Sequence, residues 1–184
     1  KMTEDGMSAT VCLNDGDTHN SPVESLEAKY PFFVERLALR DGSGGAGKYR
    51  GGLGIERKVV ARVPMTLNAQ VDRMHCAPWG LAGGLDGFGN EVTVDLEAGE
   101  MRDAPNAKVF MQRLAPKEGF YSRSGGGGGF GSPLERDPAR VAFDVAEGYV
   151  TAKSAHDDYG VVLTADGGFD AAATAALRAR KSKG

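Results

Sequence analysis

The chain has 184 residues, with 22 Lys and Arg against 25 Asp and Glu and a formal net charge of −3. That length suffices for one domain with a proper core, and 41% hydrophobic with 26% charged residues sits close to the soluble globular average, so disorder is not the default reading. The mildly acidic balance without a basic stripe gives no electrostatic case for nucleic acid. No apolar run reaches the roughly 18 residues that a membrane span needs, and the start lacks the apolar stretch of a signal peptide. Cys12 and Cys76 allow one disulfide at most, far from the dense framework of a secreted mini-domain, so the expected setting is cytoplasmic.

In chain order, Ser8 to Leu13 reads as a short strand that leads into the polar turn sequence Asn14 to Pro22. Pro22 to Glu27 reads as a short helix capped by Asn20 or Ser21, with Tyr30-Pro31 ending it. Partial alternation predicts a strand over Phe32 to Arg40, and further strands follow over 54–64, 65–72, 91–96 and 108–114. Between them the glycines cluster. Of 27 in all, seven lie between Gly42 and Gly54, five between Gly80 and Gly89, and six between Gly125 and Gly131. Such density marks backbone that turns sharply or approaches another surface closely. After Gly131 the character becomes helical. Asp137-Pro138 caps a helix with Val141, Val145 and Tyr149 on one face, and Gly148 stops it. Thr151 caps a second helix ended by Gly160, and Ala171 to Arg180 forms a third. The expected class is α+β: a β-rich part over residues 1–131 with glycine-rich loops, then a helical segment over 132–184.

Four groups carry candidate chemistry. Asp15, Asp17, His19 and Glu24 place carboxylates and an imidazole on one loop, able to hold a metal ion or orient a substrate amide; an Asx-rich turn with a helix cap is the structural alternative. Gly42 to Lys48 has the P-loop gap, but Tyr49 stands where a magnesium-binding hydroxyl is needed, and the later glycines exclude the following helix. A glycine turn with Lys48 and Arg50 exposed at its edge is the stronger reading. In Asp72 to Gly80, Arg73 suits a carboxylate or phosphate, with an ion pair to Asp72 or another acid as the alternative. His75 and Cys76 are adjacent and so point apart on a strand, and Trp79 beside Pro78 reads as a loop anchor. Finally, Phe130 and the rigid Ser132 to Pro138 sequence make Gly125 to Gly131 a packed loop, with backbone amides free to line a cleft, and not a flexible linker.

Several blocks together resemble the hydantoinase B/oxoprolinase family. They are Asn20-Ser21-Pro22-Val23-Glu24 with Tyr30-Pro31, Gly42 to Gly52, Pro78-Trp79-Gly80-Leu81 with Gly83-Gly84, Gly126 to Asp137, Gly148 to Thr151, and Asp158 to Val162. They stand in the family's order and span nearly the whole chain. The resemblance covers the C-terminal portion of a family member, without the usual long N-terminal part. It implies a segment or small subunit that works with a hydantoinase A-type partner carrying ATP and Mg, with any divalent metal held mainly in the N-terminal part. The reaction implied is ATP-dependent opening of a cyclic amide such as a hydantoin or lactam. A biotin-independent ketone carboxylase subunit is the first alternative and a non-catalytic scaffold the second. Phosphorylating an amide or ketone oxygen makes its carbon electrophilic or its enol reactive, which gives both branches one chemical logic. On this reading His19, Glu24 and Arg73 are the catalytic candidates, and Asn20 and Asp17 the substrate-binding ones.

Overall fold

The computed structural model describes residues 4–10, 21–96, 100–104, 106 and 108–182. Helix α1 (Val23–Lys29) precedes strand β1 (Phe32–Leu39), and Glu27 Oε1 accepts from Val34 N at 2.7 Å, so the helix end is tied to the strand. Then come β2 (Ile55–Ala61), β3 (Met65–Gln70), β4 (Glu91–Leu96), β5 (Glu100–Asp103), β6 (Lys108–Leu114) and β7 (Gly119–Arg123). Helices α2 (Pro138–Ala146), α3 (Ala152–Asp157) and α4 (Ala171–Lys181) complete an α+β chain.

Five strands form one antiparallel sheet in the order β1-β2-β7-β4-β5, and β3 pairs with β6 in a second. Period-2 alternation in β2 sends Ile55, Arg57, Val59 and Ala61 to one face and Glu56 and Lys58 to the other. The first face meets the two-stranded sheet, where Ala61, Leu67, Val94 and Leu114 are buried with Met65, Val109 and Phe120 around them.

Strands β5 and β7 were not expected from the sequence, and β7 is the central strand of the larger sheet. The strand expected over Ser8 to Leu13 begins instead with a turn at Ser8 and Ala9, where Ala9 takes φ +56°; residues 11–13 lie outside the described residues.

The three glycine clusters meet one another. Gly45 N donates to Gly127 O at 2.8 Å, Gly127 N to Gly52 O at 2.9 Å, Leu85 N to Ala46 O at 2.7 Å and Gly129 N to Leu85 O at 2.9 Å. At Gly51 the approach is so close that a Cβ would stand 1.9 Å from Gly127 O. The loops therefore form a hydrogen-bonded layer of main chain. The amides of Gly127, Gly129, Phe130 and Gly131 all donate within it, so they do not line a cleft as free donors. Ala46, on its other side, packs with Val141, Val150, Ala155, Tyr159 and Val161 from the helices.

The helix boundaries follow their caps. Asp137 accepts from Ala139 N, Thr151 from Ser154 N and Asp170 from Ala173 N, each placing a side-chain oxygen on an orphan first-turn amide. Gly148, at φ +77°, turns the chain after α2 in a conformation that glycine adopts at little cost.

Candidate functional site

A cavity of about 790 Å³ opens where the N-terminal segment crosses the glycine layer beside the ends of β2, β4 and β7. The segment is laid down by backbone pairing, with Gly6 N on Arg50 O and Ala9 N on Leu53 O, both at 2.8 Å. Arg57, Arg73, Arg123, Glu91, Asn90 and Ser122 supply the chemistry of the walls. Arg50 also lines it, so four guanidiniums against one carboxylate make the cavity cationic, suited to a carboxylate, a phosphate or a developing oxyanion.

Arg73 is the sequence-predicted candidate that lines this cavity. It sits at φ +57°, its carbonyl accepts from Asn90 N at 3.1 Å, and its Nε donates to Cys76 O at 3.3 Å. The alternative of an ion pair with Asp72 is not realised, because Asp72 binds Lys108 Nζ at 2.6 Å. Trp79 does not act as a buried anchor. It is 65% exposed, with the Arg73 guanidinium 5.6 Å from its ring centre. His75 Nε2 lies 3.3 Å from Asn106 Oδ1, and Cys76 is a free, exposed thiol. Glu24 is exposed on the first turn of α1 and does not line the cavity. Cys12, Asp15, Asp17, His19 and Asn20 lie outside the described residues.

Lys48 bonds Glu135 Oε2 at 3.1 Å, and Tyr49 enters a β-bridge with Phe130 instead of a helix. These residues do not fit a nucleotide phosphate, and no step through ATP is assigned to them. Arg50 is not exposed at the loop edge. Its side chain is 10% exposed, lies 3.5 Å from Asp144 and stacks 4.3 Å above Tyr149. Among the described residues no three His, Cys, Asp or Glu side chains gather as a metal site.

Around the cavity the buried cations are compensated. Arg40 pairs with Glu91 and donates to Gly89 O at 2.8 Å and Ser124 O at 3.1 Å, and Arg123 reaches the other oxygen of Glu91 at 3.3 Å. Arg136 is 2% exposed and binds Asp5 and Asp144, each at 2.7 Å, plus Lys48 O at 2.9 Å. Burial pushes the Asp5 carboxyl upward, but hydrogen bonding and charge from Arg136 outweigh it, so the group stays below its ordinary value of 3.8. Burial pushes the Tyr159 phenol up to about 12. The Nε atoms of Arg57 and Arg123 are both buried without a partner, but Arg123 has Glu91 to answer its charge and Arg57 does not. Among the described residues the Arg57 side chain has no ion-pair or hydrogen-bond partner. Arg57 belongs to no local cluster of reactive residues, and the one sequence signal for it is that apolar Ile55 and Val59, two residues to either side, place it on the inward face.

Residues 1–133 match the family model described as Hydantoinase B/oxoprolinase, and the chain belongs to that family. It is 36% identical over 163 residues to a protein of Pseudomonas sp. (strain NS671) assigned as the B-type component of a D-/L-hydantoinase, a match covering 88% of this chain and 27% of that one. It is 32% identical to the beta component of the caprolactamase of Pseudomonas jessenii, covering 89% of this chain and 29% of the relative. A solved acetone carboxylase in its nucleotide-free state superposes with a TM-score of 0.85 at 27% identity, over 98% of this chain and 28% of that one. The chain thus spans under a third of the length of these relatives.

Proposed function

We propose that this chain is the C-terminal segment, or a separate small subunit, of an ATP-dependent enzyme that opens a cyclic amide together with a hydantoinase A-type ATP-binding partner and the N-terminal part of hydantoinase B. The observation that carries the reading is the match along 88% of the chain to the B-type component of a hydantoinase, with a caprolactamase component at 32% identity beside it. ATP and Mg on the partner would supply phosphorylation of the amide oxygen, which makes the ring carbon electrophilic enough for water to add and the ring nitrogen to depart. A divalent metal, where one is used, belongs to the N-terminal part.

What this chain adds is positive charge and orientation. Arg73, at the cavity wall, holds a negatively charged oxygen of substrate or intermediate, while His19 and Glu24 assist the reaction and Asn20 and Asp17 bind the substrate.

The test is reconstitution with the partner and the remainder of the hydantoinase B protein, following ADP release and ring opening together. Arg73→Gln lowers kcat/KM by roughly ten- to a hundred-fold with assembly intact, and His19→Ala and Glu24→Ala lower turnover. Full activity of the chain alone overturns the subunit reading.

One observation favours the ketone carboxylase reading: acetone carboxylase superposes at TM-score 0.85, against 0.74 for the caprolactamase structure. ATP consumption that requires bicarbonate and a ketone, with no response to hydantoin or lactam, decides for it.

A further inference from the structure

Between the two sheets, under α1, the core is incompletely filled. A gap of about 260 Å³ lies there, walled by Leu26, Phe32, Val34, Met65, Leu114 and Phe120. Protein interiors normally close such volumes, since lining atoms without neighbours lose dispersion contacts.

Arg57 stands at the border between this apolar gap and the larger cationic cavity and lines both. Its alternation with Val59 and Ala61 turns it toward the core, and its partner in register on β7 is Ser122, which also lines the larger cavity. Half-burying a guanidinium is costly when nothing answers its charge. The molecule answers that cost elsewhere, through Glu91 for Arg40 and Arg123, and through Asp5 and Asp144 for Arg136. Among the described residues, Arg57 is the one of these inward-lying arginines without a carboxylate.

We infer that Arg57 and the adjoining gap form a binding site for an apolar monocarboxylate, its carboxylate on the guanidinium and its hydrocarbon body between the sheets. The guanidinium fork matches a carboxylate in two hydrogen bonds, including one from the partnerless Nε. A void of about 150 Å³ holds benzene, so this one holds a body of roughly six to ten carbons. The inference stands on side chains of this chain and does not depend on which reaction the whole enzyme performs.

Calorimetric titration of the 184-residue chain at neutral pH tests it, with hexanoate and benzoate as probes and acetate and hexanol as comparators. Hexanoate binds at least ten-fold tighter than either comparator, because acetate lacks the body and hexanol the charge. Arg57→Gln weakens hexanoate at least ten-fold, Arg57→Lys weakens it less, and Val34→Phe, which fills the gap, abolishes it; thermal melting verifies that each variant is folded. If Arg57→Gln does not fold, the Lys and Phe variants carry the comparison. Equal affinity for acetate and hexanoate, or unchanged hexanoate affinity in the Gln or Phe variant, overturns the proposal, as does the absence of any hexanoate binding.

Discussion

Arg136 donates five hydrogen bonds: Nε and one Nη2 hydrogen to Asp144, Nη1 to Asp5 and to Lys48 O, and the second Nη2 hydrogen to Asp5. That is the full capacity of a guanidinium, so burial leaves none of its donors unanswered. Asp5 is the titrating end of this arrangement. Because its folded carboxyl lies below 3.8, the folded chain binds that proton less readily than the unfolded one. The stabilisation is complete above the unfolded value and is lost as pH falls through the folded one. Acid titration followed by circular dichroism therefore shows a falling stability below about pH 4. Asp5→Asn flattens that limb and costs about 2 kcal/mol at neutral pH, because it leaves part of the Arg136 charge unanswered. None of this was visible in the sequence. Asp5 and Arg136 are 131 positions apart, and no local pattern marks either one as paired.

At the scale of elements, the legible parts were those written in local chemistry. Alternation located β1 to β4 and β6, and Asp137, Thr151 and Gly148 marked helix ends because capping and positive φ are decided within a few residues. Strand β7 escaped because it opens on Gly119 directly after Pro116-Lys117-Glu118, which reads as loop; neighbours β2 and β4, distant in sequence, make it a strand. The glycine clusters mark backbone that turns sharply or approaches another surface closely, but that they approach one another is a tertiary fact. It carries two measurable consequences. Gly51→Ala costs about 3 kcal/mol or more, because its Cβ meets a carbonyl that cannot move aside. Gly148→Ala, where nothing lies within 4 Å, costs only about 1 kcal/mol of positive-φ strain. Denaturant melts of both variants separate steric exclusion from backbone conformation. Hydrogen exchange adds a second check: the amides of Gly127, Gly129 and Phe130 exchange as slowly as those of β2, whereas an unpaired loop would exchange at once.

For the whole molecule, the Arg136 cluster joins parts that composition alone separates. Asp5 comes from the N-terminal segment, Lys48 from the first glycine loop and Asp144 from α2, and Arg178 of α4 donates to Arg136 O at 2.8 Å. Arg136→Met consequently destabilises sheet and helices together, by about 3–5 kcal/mol. Far-UV signal and tyrosine fluorescence then shift to lower denaturant by the same amount, in one transition; two separated transitions refute the linkage. The candidate site was half legible for a related reason. Arg73 stood out by its chemical company, whereas Arg57 gains its meaning only from a gap between two sheets.

The main-chain layer also restricts how this family can vary. Where two polypeptide backbones touch directly, there is no rotamer to reselect and no methyl group to trim, so a neighbouring change has nothing with which to compensate. Diversity in such a wall must enter through the length of its connecting arcs and the side chains along its margin. Relatives acting on quite different compounds are therefore expected to share this layer nearly atom for atom, and to differ at its borders, where Arg73 stands.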